Sequence, residues 1–194
     1  MPSLTIDHRK AALVLIDLQR GVVGRSVAPY SGAEVVQNAA RLAAGFRALG
    51  ATVVLVNVTF HADTKDRLNL AADAPMQFNA SALPANWPEI APELGPQAGD
   101  LLITKRQWGA FYGTELDLQL RRRELRTIVL GGIATNLGVE STARDAYERG
   151  YAQIFVEDAM ASFTAEMHEF AVRNIFPRIG NVRSTADVLA ALAL

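Results

Sequence analysis

The chain has 194 residues, half of them hydrophobic, and this length suffices for one domain with a sizeable core. A net charge of −1 gives no electrostatic reason to expect nucleic acid as a partner, and the sequence contains neither a membrane-spanning run nor a signal peptide. The absence of cysteine excludes disulfides, thiolate zinc sites and thiol nucleophiles, and it favours a cytoplasmic location. We therefore expect a single domain over residues 1–194 and no membrane partner.

Apolar runs alternate with helical patterns along the chain. Each run is short and continuous, which is typical of a strand buried on both faces. The runs predict strands over residues 11–17, 52–58, 101–104, 127–130 and 153–157, and a short strand is also predicted over residues 181–183. Helices are predicted between them, over residues 35–49, 114–123, 137–149 and 164–176, with a last helix after Ser184. This alternation indicates βαβ units and an α/β fold with a largely parallel, Rossmann-like sheet of about six strands.

Two of the predicted helices carry clear end signals. Ser31 and Glu34 have the spacing of a capping box before the first long helix, and Gly50 follows that helix. Pro177 is expected to end the helix over residues 164–176, because proline cannot continue the hydrogen-bonded ladder. These signals place the ends of the helices that flank the sheet.

Residues 60–99 break the alternation, with five of the eight prolines and little periodicity. A loop of this length inside a compact domain is usually a lid, a binding loop or an oligomer arm, although it can be a solvent-facing excursion without a role. Trp87 and Trp108 are too apolar to be left in water. We therefore expect a homo-oligomer, a dimer or higher, that buries part of residues 60–112.

Two charged residues end apolar runs. Asp17 closes the first run, where partial burial would raise its pKa and suit it to proton transfer, although it could instead cap a nearby loop. Lys105 closes the third run, where burial requires a facing anion, although a lysine there could also reach the surface. If the two residues pair, their strands must be neighbours or nearly so. We expect the first and third strands side by side.

Residues 127–151 contain a buried strand, a turn at Gly131 and Gly132, and a helix. Strand-to-helix turns of this kind are where open α/β sheets bind ligands, because free helix N–H groups point outward there. Thr135 and Asn136 in the turn could orient such a ligand or cap the helix. The segment is therefore a candidate small-molecule site.

These segments resemble the isochorismatase-like hydrolases of the cysteine hydrolase superfamily, and within them the YecD-like bacterial branch. The resemblance rests on Asp17 and on residues 105–114, 118–123 and 138–144. It implies a three-layer α/β/α sandwich, a cis peptide before Ala134, and an oxyanion hole from the amides of Ala134 and residue 138. It also implies an Asp–Lys–Cys triad, in which Gly138 occupies the cysteine position of this chain.

Gly138 divides the two chemistries of that family. The cysteine members hydrolyse amides through an acyl-enzyme, whereas the isochorismatases that cleave vinyl ethers resemble this chain in having glycine. Carried over, Asp17 would be the general acid, Lys105 would hold its charge, and Gly138 would leave room for the substrate. This favours a cofactor-free hydrolase of a small, anionic or polar, ring-bearing metabolite. The alternatives are a non-catalytic binding or regulatory protein, and an amide hydrolase in which Asp17 activates water.

The remaining substrate contacts depart from those isochorismatases. Ala134 and Asn136 stand where such enzymes carry tyrosine and histidine. His61 and Arg67 lie in the region that supplies glutamine and arginine there. The metal motif of nicotinamidases is not matched at residues 59–61, so we expect no metal and no other cofactor.

The other polar and aromatic residues can be interpreted as structural. Trp108 and Phe111, with Tyr112, could wall an aromatic pocket or pack a subunit interface. Glu140 and Arg144 are most simply an ion pair along one helix. His168 is most simply a structural histidine, with its ring nitrogens satisfied inside the fold.

Overall fold

A six-stranded sheet forms the centre of the protein, which is described by a computed structural model over residues 4–76, 79 and 82–192. Neighbouring strands are parallel throughout, in the order β3-β2-β1-β4-β5-β6. The strands are β1 (Ala11–Ile16), β2 (Thr52–Val58), β3 (Leu101–Lys105), β4 (Thr127–Ile133), β5 (Ala152–Ala161) and β6 (Asn181–Arg183). The predicted α/β class and strand number are confirmed.

Seven α-helices accompany the sheet within the described part of the chain. They are α1 (Arg20–Val23), α2 (Gly32–Ala48), α3 (Leu116–Arg122), α4 (Glu140–Glu148), α5 (Ala165–Phe170), α6 (Phe176–Ile179) and α7 (Thr185–Leu192). A 3₁₀ turn covers Pro92–Leu94, and π turns cover Thr135–Val139 and Ala171–Ile175. Across residues 4–76, 79 and 82–192, no helix is both long and apolar enough to cross a membrane.

The helices cover both faces of the sheet. Every residue of β1 is buried, and alternate side chains point to opposite faces, as the pleat requires. Leu13 and Leu15 join the core beneath α2 and α7. Val14 and Ile16 join the second core, which α3, α4 and α6 cover. Burial on both faces explains why the strand is continuously apolar rather than alternating.

The expected adjacency of β1 and β3 is wrong, because β2 lies between them. The helix α2 connects β1 to β2, and consecutive parallel strands joined by one crossover helix usually pair directly. On its other side β1 pairs with β4. The strands up to β3 are therefore added on one side of β1, and those from β4 onward on the other. Open α/β sheets bind ligands at such a switch point.

The predicted turn at Gly131 and Gly132 is instead the end of β4, where the two glycines pair with Leu15 and Ile16. Gly132 has a φ of 131°, and a Cβ atom on it would lie 2.2 Å from the carbonyl oxygen of Ile16. Only glycine permits this close approach of the two backbones. The turn that faces the site therefore begins after the end of β4, and not at Gly131 and Gly132.

Helix ends agree with their signals in one case and not in another. The Ser31–Glu34 capping box is present in both directions, as predicted. Pro177 does not end a helix, because the helical path after α5 passes through the π turn Ala171–Ile175 and restarts in α6. Pro177 lies in the first turn of α6, where its missing N–H group leaves no hydrogen bond unmade.

Candidate active site

Asp17 follows β1 directly and is almost entirely buried. Its main chain has a φ of 54°, a left-handed conformation that costs a non-glycine residue on the order of 1 kcal/mol and that is common at functional sites. Its amide donates to the carbonyl of Val56 at 2.9 Å, which continues the pairing of β1 with β2. The backbone thus holds the Asp17 side chain at the edge of the sheet where the strands have their C-terminal ends.

Burial raises the pKa of Asp17 from 3.8 to about 6, and the nearby Lys105 ammonium limits that rise. The folded chain therefore holds this proton to a higher pH than the unfolded chain does. Between about pH 4 and pH 6 the folded state binds more protons, so the Asp17 contribution to the free energy of unfolding falls as the pH rises. A carboxyl with this pKa can serve as an acid near neutral pH.

Lys105 reaches Asp17 across the intervening strand β2. Its Nζ atom lies 2.7 Å from Asp17 Oδ2, and its side chain is 2% exposed. Two strand spacings amount to roughly 9 to 10 Å, and the four-carbon stem of lysine lets its ammonium bridge such a gap. The predicted pairing is confirmed, although the strands are not adjacent, and the surface position considered for Lys105 is wrong.

The ion pair leaves half of the carboxyl group available. Oδ2 of Asp17 accepts from Lys105, whereas Oδ1 is buried and has no hydrogen-bond partner among the described residues. Unpaired buried polar atoms are rare and commonly mark functional positions. Because the ammonium occupies Oδ2, a proton on this carboxyl belongs on Oδ1.

Gly138 lies against the carboxyl group, in the π turn Thr135–Val139 that follows β4. A Cβ atom at this position would lie 3.1 Å from Ile16 Cγ2, 3.2 Å from Asp17 Oδ2 and 3.4 Å from the carbonyl oxygen of Trp108. The peptide bond between Ile133 and Ala134 is cis, as the family resemblance implied. The turn therefore brings Gly138, which follows β4, beside Asp17, which follows β1.

The side chains of Thr135 and Asn136 are bonded within the fold. Thr135 Oγ1 lies 2.9 Å from Nδ1 of His168 on α5, and both side chains are buried. The Ser162 hydroxyl, after β5, donates to Asn136 Oδ1. Neither side chain caps the following helix. Burial lowers the pKa of His168, which fits the predicted structural histidine.

The aromatic residues after β3 do not form one wall. Phe111 is buried in the core and stacks on Tyr151 with ring centroids 5.9 Å apart. Tyr151 precedes β5, at the edge of the sheet opposite Asp17, so Phe111 does not line the site. Trp108 and Tyr112 are more than half exposed, and Trp108 approaches Gly138 through its carbonyl oxygen.

His61 and Arg67 belong to the loop after β2. The His61 amide donates to the Asp66 carboxylate, and its ring is exposed. Arg67 donates to the carbonyl of Met76. Arg106, next to Lys105, pairs with Asp66 at 2.7 Å and so ties this loop to the end of β3. In the described ranges, no three His, Asp or Glu side chains converge as metal ligands would.

Gln19 is a buried residue of this region that the sequence analysis did not select. Its Nε2 atom donates to the carbonyls of Val58 at 3.0 Å and Trp87 at 3.3 Å, and its Oε1 atom accepts from the Val58 amide at 2.8 Å. The only signal in the sequence was its position two residues after Asp17. Gln19 joins the end of β2 to the proline-rich loop.

The proline-rich loop returns to the carboxyl edge of the sheet over residues 87–91. Main-chain hydrogen bonds join it to residues 18–21, and Gln19 forms an antiparallel bridge with Ile90. Trp87 is half-buried against Phe60, so its own chain covers it in part. The loop therefore packs against the backbone that directly follows the catalytic candidate Asp17.

A groove of 660 Å³ lies elsewhere, on the outer side of α1 and α2 beside Pro92. Its lining includes neither Asp17, Lys105 nor Gly138, and it combines small apolar side chains with Arg20, Arg41 and Glu93. Buried ionisable groups mark chemistry more directly than surface concavity does, so the Asp17–Lys105 pair is the candidate site.

Replacing Lys105 by methionine tests the burial of the pair. We expect Lys105→Met to lower the free energy of unfolding by about 3 to 5 kcal/mol at pH 8, because a lone buried carboxylate remains. At pH 5 the loss is smaller, because Asp17 is then protonated, and the pKa of Asp17 rises above its wild-type value. Urea unfolding at both pH values and a carboxyl carbon NMR titration measure these effects.

Lys10→Met is the matched control, since the Lys10 ammonium pairs with Glu124 at 2.9 Å on the surface. Exposed pairs contribute about 0 to 1 kcal/mol, so we expect little change at either pH. An equal loss at pH 5 and pH 8 in Lys105→Met would contradict the desolvated pair.

Known proteins resemble this chain along nearly its full length. The isochorismatase domain model matches residues 11–187. The isochorismatase family protein YwoC of Bacillus subtilis is 53% identical over 189 residues, which cover 97% of each chain. YecD of Escherichia coli O157:H7, of the same family, is 48% identical over 189 residues, covering 97% of this chain and 100% of its own.

A solved structure shows the same architecture. An isochorismatase family protein from Burkholderia thailandensis superposes with a TM-score of 0.93 at 45% identity. The superposition covers 99% of this chain and 100% of the other. Sequence and fold thus agree over nearly the full length, and the chain belongs to the isochorismatase family.

Proposed function

We propose that this protein hydrolyses a vinyl ether of a small polar metabolite, with Asp17 as the general acid and without a covalent intermediate. The observation that carries the proposal is the state of the Asp17 carboxyl. One of its oxygens is paired with Lys105, and the other is buried, lacks a partner within the described part of the chain and can carry a proton. The family supports hydrolysis as the reaction class, and the absence of cysteine leaves no thiol for an acyl-enzyme.

The reaction begins with proton transfer from Oδ1 of Asp17 to the terminal carbon of the vinyl ether. The electrons of the double bond form the new C–H bond, and an oxocarbenium ion results. Water adds to this cation and returns one proton to the Asp17 carboxylate. The hemiketal then breaks its C–O bond to give a ketone and an alcohol, so that one water molecule is consumed and Asp17 is regenerated.

Lys105 stabilises the carboxylate that exists after the proton has left. Its ammonium, 2.7 Å from Oδ2, stays in place throughout, because Gln107 also holds it by accepting a hydrogen bond at 3.0 Å. A fixed positive charge beside a group that becomes negative in the reaction lowers the barrier without any reorganisation. Lys105 is therefore an electrostatic partner and not a proton donor.

Gly138 fits this chemistry because the Asp17 carboxyl lies directly against it. A Cβ atom would lie only 3.2 Å from Oδ2 of Asp17. A side chain there would press against the oxygen that Lys105 holds, so glycine leaves the ion pair undisturbed. Trp108, whose carbonyl oxygen is also close and whose ring is about half exposed, is the aromatic residue best placed to contact a substrate ring.

The pH dependence follows from the protonated form being active. We expect kcat/KM towards isochorismate and simple enolpyruvyl ethers to be high below pH 6 and to fall about tenfold per pH unit well above it. Asp17→Asn should remove turnover at every pH. The exposed Asp73→Asn is the control and should keep the wild-type profile. Turnover that increases with pH would refute an acid role for Asp17.

A thiol at position 138 separates the two chemistries of the family. We expect Gly138→Cys to gain no efficient amidase activity, measured as ammonia release from primary amides and N-carbamoyl compounds, because Ile16 and the Trp108 carbonyl crowd the new side chain. Gly138→Ala is the control that adds bulk without a thiol. Robust amidase activity in Gly138→Cys, with no vinyl ether cleaved by wild type, would favour a binding or regulatory protein instead.

We also infer a homo-oligomer that covers exposed apolar side chains near the site. Leu68, Leu70, Trp108 and Tyr112 are all more than half exposed. Light scattering at micromolar concentration should show a dimer or larger assembly, and Leu70→Glu should dissociate it. Leu118→Glu, at an exposed leucine on α3, should not. A monomeric wild type would remove this inference.

A further inference from the structure

The loop that follows β3, residues 106–112, contacts both halves of the site through its main chain. We term it the collar loop. The carbonyl of Gln107 accepts from Lys105 Nζ at 3.0 Å. The carbonyl of Trp108 lies 3.4 Å from where a Cβ of Gly138 would stand. The position of this loop therefore sets the position of the Lys105 ammonium.

One side chain folds the collar loop onto itself. Nε2 of Gln107 donates to the carbonyls of Gly109 at 3.0 Å and Tyr112 at 2.6 Å. These bonds fix the shape of the loop, but they do not attach it to the rest of the site. That attachment requires a residue on another element.

Thr142, on α4, provides it and is completely buried. Its hydroxyl accepts from the amide of Ala110 at 3.1 Å and donates to the carbonyl of Gly138 at 2.7 Å. A threonine bond to the carbonyl four residues earlier is common inside a helix. A second bond from the same hydroxyl to the main chain of a different loop is not part of that local pattern.

We propose that Thr142 is a positioning residue for the Asp17–Lys105 pair. One hydroxyl links the collar loop to the π turn, and Gln107 then holds the ammonium in reach of Asp17. The role rests on the proposed function, since it serves the same acid. Without the hydroxyl, the buried Ala110 amide and the Gly138 carbonyl both lose a partner, and the collar loop is free to shift relative to Asp17.

Thr142→Val tests this role, because valine keeps the shape of the side chain and removes only the hydroxyl. The readout is the pKa of Asp17 by carboxyl carbon NMR in the full-length protein. We expect it to rise by about half a unit or more, in the direction set by Lys105→Met, because the ammonium is held less closely. Thr142→Ser, which retains the hydroxyl, should restore the wild-type value.

Thr185→Val is the matched control. Thr185 is also a fully buried threonine, but its hydroxyl donates to Asp158 at 2.7 Å under the opposite face of the sheet. This variant loses stability through the same chemistry, and the pKa of Asp17 should not change. A purely structural role for Thr142 predicts the same outcome for both valine variants.

Gln107→Leu keeps the proposal testable if Thr142→Val does not fold. It removes both bonds that shape the collar loop and should also raise the pKa of Asp17. An unchanged or lowered pKa in folded Thr142→Val, or in Gln107→Leu where the first variant fails to fold, would overturn the proposal. The titration needs no turnover, so it judges Thr142 even if no vinyl ether is cleaved.

Discussion

The buried ion pair between Asp17 and Lys105 is the constraint on which the rest of the site depends. Removing two charges from water carries a desolvation penalty of several kcal/mol per ion, and close contact offsets it only when the geometry is good. Here the contact is 2.7 Å, and the ammonium has a second acceptor in Gln107. The carboxyl has no second donor, because its Oδ1 atom lacks a hydrogen-bond partner among the described residues. Because the carboxyl has fewer hydrogen bonds than the ammonium, Asp17 is the member of the pair that becomes neutral, by taking up a proton.

The sheet supplies the means to hold that pair. Asp17 and Gly138 follow β1 and β4, the strands on either side of the switch point, and Lys105 ends β3 two strands away. The carboxyl ends of three different strands therefore meet at one edge of the sheet. The close approach of β4 to β1 at Gly132 brings the π turn directly beside the acid. The fold places the groups, and the loops between them set the distances.

Much of this arrangement was predictable from sequence, and the limits are physical. Continuous apolar runs identified β1, β2, β4 and the first part of β5, because burial on both faces allows little else. A carboxylate and a lysine at strand ends indicated a pair. The order of β1, β2 and β3 was missed, since no local pattern shows that a lysine spans a strand. The burial of Phe111 was missed because its neighbour Tyr151 is forty residues away in the chain.

The hydrogen bonds that organise the loops were also not predictable from residue patterns in the sequence. Gln19 and Thr142 look like ordinary polar residues in the sequence, and each acquires its role from main-chain groups that only tertiary structure brings near. The return of residues 87–91 to the sheet has the same origin. Periodicity reports burial within one element, whereas these contacts join different elements.

The tight fit around Gly138 has a consequence for which substitutions the site tolerates. The Ile16 side chain and the Trp108 carbonyl pack against Gly138, which has no side chain. A side chain at 138 would share its space with the Ile16 side chain and the Asp17 carboxyl, and the main chain at Trp108 bounds it on a third side. The side chains tolerated at 16 and 138 therefore limit each other, so that a larger residue at one position requires a smaller one at the other.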